Sequence, residues 1–346
     1  MSANLDETLG FVALAFAGPR SKIWHGTGQS IDQKAAELGR PLTLEETWAL
    51  AGCNFDVDKV PLVVNLTGAD FDHIEPSKRM FAYPDRFAHV RRDTGAPVGM
   101  ASGQYQLVQP STIRDTFARY LEADDRFQIT TVGALDGGKR IWAQAQFDGT
   151  QDVAGDKHKR HLLMSTTFDT TSCTRLQGSV TRVVCENTIR VAMGEEAPIV
   201  NVRHTTRFDI DKARKELATI ASGFDAYKAM GDALARRKLA SEELATFLRD
   251  VLDIPRDAQP DDVSTRKKNQ RQAIIDAMLV SANERGGQRV GDLDAFTALQ
   301  GVTRYVDHTR DANDTENRLF GSGAALKDKA LGLLLPFIGD KVLVNA

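Results

Sequence analysis

The chain has only three cysteines in 346 residues, Cys53, Cys173 and Cys185, and no two of them form a CxxC pair. That excludes a disulfide framework and a thiolate zinc site, and it points to a reducing, cytoplasmic setting. No apolar run approaches the roughly 20 residues needed to cross a bilayer, so no membrane association is expected. The first residues are acidic, at Asp6 and Glu7, where a secretory signal carries positive charge, so secretion is not expected either. There is no internal repeat and no low-complexity tract. The sequence contains no GxSxG, no HExxH and no Rossmann fingerprint. The carboxylate pairs Asp56/Asp58 and Asp250/Asp253 are too generic to mark acid–base chemistry. These absences lead to the expectation of a non-enzyme with no catalytic residue, metal or cofactor.

What is present is a globular composition, 42% hydrophobic and 26% charged, long enough for one large or two modest domains. Charge is unevenly spread. Between Lys157 and Arg207, eight Lys/Arg (Lys157, Lys159, Arg160, Arg175, Arg182, Arg190, Arg203, Arg207) face four acids, while the whole chain carries −3. A basic zone on an acidic protein fits a polyanion-facing surface, although solvated strand residues would read the same way.

Patterning divides the chain. Thr43-Leu-Glu-Glu46 is a capping box that opens a helix carrying Trp48. Residues 59–66 and 79–90 read as extended. Gln104 to Val108 alternates and stops at Pro110, after which Ile113, Phe117 and Tyr120 mark a helix. Phe127 to Ala134 and Arg140 to Phe147 read as strands joined through Asp136-Gly137-Gly138, a hairpin signal. His161 to Phe168 and Ser179 to Val184 extend the sheet. Ala213, Leu217, Ile220, Phe224 and Tyr227 then fall at helical spacing, and helices follow over 242–252, 270–282, 295–308 and 325–335. Residues 256–268 read as a polar loop. The fold class is therefore α+β: an antiparallel β-sheet with a β-hairpin packed on helices over residues 1–210, then a mainly helical region over 211–346.

Gly133 to Arg140 matches GxxxxGK, but Arg140 stands where a phosphate-binding loop has a hydroxyl, and a strand follows where a helix should. The hairpin reading prevails and leaves Lys139 and Arg140 as two cations at its tip. His158 and His161 lack a cysteine or carboxylate to complete a metal set. Cys185 lies in an apolar run and reads as a small buried hydrophobe. Asn187-Thr188 reads as the cap of a helix over 189–193. Tyr105 and Trp142 lie near the basic strands, where rings could stack on bases while cations follow phosphates; strand aromatics are more often core.

Six blocks follow in order: WHGTGQSI at 24–31, GQYQLVQP at 103–110, GALDGGKRIWAQAQF at 133–147, RVVCENTIRVA at 182–192, VRHTTRF at 202–208 and GVTRYVDHTR at 301–310. Together they resemble the phage/plasmid-like family classed as domain of unknown function nine hundred thirty-two. The succession of Tyr-x-Leu-Val-Gln, helix, strand, glycine hairpin and strand is further similar to the core of the single-strand annealing superfamily of Red-beta, RecT and Rad-fifty-two. That resemblance implies a homo-oligomeric ring or helical filament that holds single-stranded DNA in a basic groove. The phosphate contacts would be Lys139, Arg140, Lys157, Lys159, Arg160, Arg175, Arg182, Arg203 and Arg207, with Tyr105 or Trp142 stacking on bases. The competing expectation is an assembly or host-interaction protein of a mobile element that binds no DNA.

Overall fold

The computed structural model of the chain describes residues 14–16, 29–123, 127–182, 188–190, 199–205, 209, 217–289, 292–310 and 315–339. In chain order the strands are β1 (Leu14–Phe16), β2 (Gln29–Ser30), β3 (Val57–Asn65), β4 (Met80–Arg91), β5 (Pro97–Ser102), β6 (Phe127–Leu135), β7 (Arg140–Phe147), β8 (Gln151–Val153), β9 (Asp156–Thr167), β10 (Thr174–Arg182), β11 (Thr188–Arg190) and β12 (Ile199–Val202). Nine strands form one sheet in the order β11-β10-β9-β7-β6-β1-β2, with β12 also paired to β10 and β8 to β9. The remaining three form a second sheet, β3-β4-β5. All pairings are antiparallel except β1 with β2. The helices are α1 (Ile31–Leu38), α2 (Leu44–Leu50), α3 (Pro110–Ala123), α4 (Leu217–Arg236), α5 (Ser241–Val251), α6 (Thr265–Glu284), α7 (Ala295–Tyr305), α8 (Thr315–Leu319) and α9 (Ser322–Leu334). The molecule is thus α+β, with its helices concentrated in the C-terminal region.

Local chemistry accounts for several of these elements. Thr43 and Glu46 form the reciprocal cap of α2, the Thr43 hydroxyl accepting from the Glu46 amide and the Glu46 carboxylate from the Thr43 amide. The β6–β7 hairpin closes at Leu135 opposite Arg140. Its turn puts Asp136, Gly137 and Gly138 at positive φ, which two glycines adopt without strain. Helix α4 lies on the large sheet above Gly178, where an added Cβ would sit 3.3 Å from Ile220 and Phe224. A single hydrophobic cluster runs from Val132 and Met164 in the sheet, through Ile220 and Phe224, to Phe296 and Leu334 among the C-terminal helices. The expected division between 210 and 211 falls outside the described residues. Among the described residues no helix is long and apolar enough to cross a membrane.

Two segments depart from the pattern-based reading. Residues 104–108 are not a strand; the strand there is β5, which ends at Ser102. Tyr105 turns inward instead, stacks on His204 at 4.3 Å and donates its hydroxyl proton to the Thr167 carbonyl at 2.6 Å. Alternation alone cannot foresee a ring anchored so far along the chain. The helix expected from Ile189 begins as strand: Thr188–Arg190 is β11, paired with Ser179–Thr181, and residues 191–193 lie outside the described residues, as does Cys185.

Candidate nucleic-acid interface

Strands β9 and β10 form the centre of the basic zone. Side chains on a strand alternate between faces, so their register assigns each one. Leu162 lies opposite Gly178 and Met164 opposite Leu176, and this face meets the helices. The other face carries Lys157, Lys159, His161, Leu163, Ser165 and Thr167 on β9. Against them on β10 stand Thr181, Ser179, Gln177 and Arg175. Two basic residues of β9 and one of β10 therefore share a face with hydroxyl, amide and imidazole groups. Arg160 lies on the opposite face, with its guanidinium 5.8 Å from the Phe147 ring centroid and a hydrogen bond to the Asp148 carbonyl.

The expected contact residues separate by burial. Lys139 at the hairpin tip, Lys157 and Arg203 are exposed; Lys159, Arg160 and Arg175 are half-buried. Arg175 is held by Asn201 Oδ1 at 3.0 Å across the β10–β12 pair. Four others are interior, which corrects the sequence reading. Arg182 has no exposed side-chain surface and is bonded to Asp156 at 2.9 Å and Glu284 at 2.7 Å. Arg285 joins the same Asp156, and Arg304 joins the same Glu284, so the cluster ties β9 and β10 to the ends of α6 and α7. A guanidinium buried and ion-paired in this way is not presented to a phosphate. Arg140 is buried with its guanidinium 4.4 Å from the Phe320 ring centroid. Trp142 is fully buried with Leu135, Leu163 and Leu319, and Tyr105 is buried as described above. Neither ring offers a stacking surface. Arg207 lies outside the described residues.

The sequence reading missed the polar character of this face. Gln144, Gln146, His161, Gln177 and Ser179 occupy adjoining positions on β7, β9 and β10. Gln144, His161 and Gln177 are almost fully buried. Among the described residues, neither ring nitrogen of His161 and neither amide atom of Gln177 has a hydrogen-bond partner. The signal was present in Gln144-Ala145-Gln146, an alternation that points glutamine, not leucine, to one side. Burial, reinforced by Lys159, pushes the His161 imidazole down to about 3. Burial likewise pushes His158, on the opposite face, down to about 4. Both rings are neutral near pH 7.

Among the described residues there is no group of three or more His, Cys, Asp or Glu side chains placed to hold a metal ion. Cys53 is buried, and burial raises its thiol well above the usual range, which disfavours the thiolate. A family model described as Domain of unknown function (DUF932) matches residues 97–325. No curated protein and no solved structure matches the chain.

Proposed function

The chain belongs to the DUF932 family, a membership that assigns no activity, and on the geometry of the sheet we propose that it is an oligomeric, non-enzymatic single-stranded DNA-binding and annealing protein of a phage or plasmid. The observation that carries this reading is the shared face of Lys157, Lys159 and Arg175, none of which is buried. Lys159 and Ser165, the partner of Arg175, are separated along β9 by about 20 Å at ~3.3 Å per residue. Exposed Lys139 and Arg203 flank the far end of this row. Between these cations His161, Leu163, Ser165, Gln177 and Ser179 are buried, so a bound strand would meet the cations at the two ends of the row and not the sheet between them. Such a contact holds phosphates and leaves base edges free for a complementary strand, so annealing needs no bond chemistry. The mobile-element setting comes from the block resemblance.

The test is annealing of two complementary labelled oligonucleotides across a salt series, with strand binding followed by fluorescence anisotropy. Five phosphate contacts, one for each of these cations, predict a log–log salt slope of about −3.5 at ~0.7 per contact. Acceleration that fades with salt supports the reading. Folded protein that neither retains an oligonucleotide nor speeds pairing overturns it. The second reading, a protein-binding role without DNA, would use for another protein the exposed Val63, Met80, Phe81, Tyr83 and Met100 of the small sheet, which the leading reading uses for self-association. Specific retention of one protein, with no oligonucleotide bound, is the result that reading requires.

A further inference from the structure

A cleft between α5 and α6 lies outside the sheet and takes no part in the strand-binding reading. It has two chemically distinct ends that share Ala245 and Arg271. One end is a bowl of about 590 Å³ with Arg249, Arg256, Lys268 and Arg271 around an apolar floor that includes Ile254 and Val263. The other is a slot of about 170 Å³ lined mainly by apolar side chains, among them Leu244, Leu248, Ile275 and Met278. Among the described residues, no carboxylate lines either end.

The charge balance in the bowl is the informative part. Arg256 is paired with Asp250 at 3.0 Å. Arg249 donates to the carbonyls of Pro255 and Ala258, which orders the loop without neutralising the guanidinium. The side chains of Lys268 and Arg271 have no hydrogen bond or ion pair among the described residues. Among the nearby acids Asp253 pairs with Lys329 at 2.6 Å, while Asp257, Asp261 and Asp262 lie on the loop beside the bowl but are not among its lining residues. Three positive charges thus converge on the bowl without a facing acid. Guanidinium forks match the oxygens of phosphate, and cavities of this size hold small ligands.

We propose that the α5–α6 cleft binds a phosphate-bearing small molecule, with the phosphates held by Arg249, Lys268 and Arg271 and an apolar or aromatic body entering the slot beside Ile275. A nucleoside diphosphate has this chemistry; inorganic pyrophosphate has the anionic half alone.

The experiment is calorimetric titration of the full chain with a nucleoside diphosphate and, separately, with pyrophosphate. Arg271→Glu and Lys268→Glu are each expected to weaken binding by about ten-fold or more, close to 1.4 kcal/mol per ten-fold. Both side chains are exposed, so the variants should melt as the parent does. Ile275→Ser is expected to weaken the nucleoside diphosphate and leave pyrophosphate unchanged. Equal affinity for both ligands, unaffected at Ile275, upholds the phosphate seat and overturns the role of the slot. No titration of folded protein by either ligand, or full-strength binding by Arg271→Glu, overturns the site. Substitutions at Lys159 and Arg175 should leave these titrations unchanged, which keeps this test separate from that of strand binding.

Discussion

Arg182 illustrates how one residue type serves two opposite roles. Between residues 157 and 207 it is one cation among eight; in the fold it is the hub of a buried cluster with Asp156 and Glu284. Removing it leaves Asp156 with Arg285 and Glu284 with Arg304 but takes the shared cation out of a buried cluster. Arg182→Ala should therefore cost roughly 3–5 kcal/mol of stability, read from a urea titration, while folded protein retains its affinity for oligonucleotide. A variant as stable as the parent but defective in strand binding would return Arg182 to the interface. Gly99 is constrained differently. A Cβ there would overlap the Phe168 carbonyl, to which His89 also bonds at 2.6 Å. Backbone cannot yield as a side-chain tip can, so Gly99→Ala should lose about 2 kcal/mol or more and lower the melting temperature; an unchanged melting curve contradicts the close packing of β5 on the large sheet.

At the scale of elements, β9 links acid stability to the proposed interface. In the unfolded chain, His158 and His161 take up protons below their ordinary value of 6.5; in the fold they resist until about 4 and about 3. The unfolded state thus binds more protons through this window, and stability falls as pH drops from 6.5 toward 4. Burial also lowers His89 and His204, which act in the same direction. The loss should reach a few kcal/mol, at ~1.4 kcal/mol per pH unit for each imidazole, seen as a lower urea midpoint at pH 5 than at pH 7. His161→Leu should flatten part of this slope, and a pH-independent midpoint in the parent would contradict burial of the neutral rings. The same strand carries the binding prediction. Lys159→Glu combined with Arg175→Glu should weaken oligonucleotide binding and reduce the salt slope by about 1.4, at ~0.7 per contact. An unchanged slope removes both residues from the interface.

At the scale of the molecule, the proposed activity requires self-association, and the small sheet is the surface we assign to it. The outer halves of β3 and β4 leave Val63, Met80, Phe81 and Tyr83 exposed, while Val57, His89 and Val98 anchor the sheet's inner end. By strand alternation Phe81 and Tyr83 share one face of the small sheet and Met80 and Val63 the other, and exposed apolar side chains on both faces suit contact with further copies of the chain. Replacing Met80, Phe81 and Tyr83 together by Ser should shift the parent's assembly toward monomer in light scattering coupled to size exclusion, without unfolding it. A parent that is monomeric at working concentration, with or without oligonucleotide, would contradict a ring or filament.

Much of the architecture was legible in short-range pattern. The Thr43/Glu46 cap, the Asp136-Gly137-Gly138 hairpin and the helical stripe at Ile220, Phe224 and Tyr227 depend on neighbours within a few residues, and sequence displays those directly. The location of basic character between 157 and 203 was legible for the same reason. Which cations face solvent was not, because that depends on register and on partners far along the chain. Lys159 and Arg175 share a face only through the β9–β10 pairing. Arg182 is sequestered only because Glu284, at the end of α6, folds back onto it. Tyr105 and Trp142 entered the core because distant residues, His204 and Leu319, closed over them. The sequence by itself determined most of the element types and the supply of charge; tertiary structure decided the exceptions at 104–108 and 188–190 and the use of each charge, since burial and pairing are properties of contacts made across the fold.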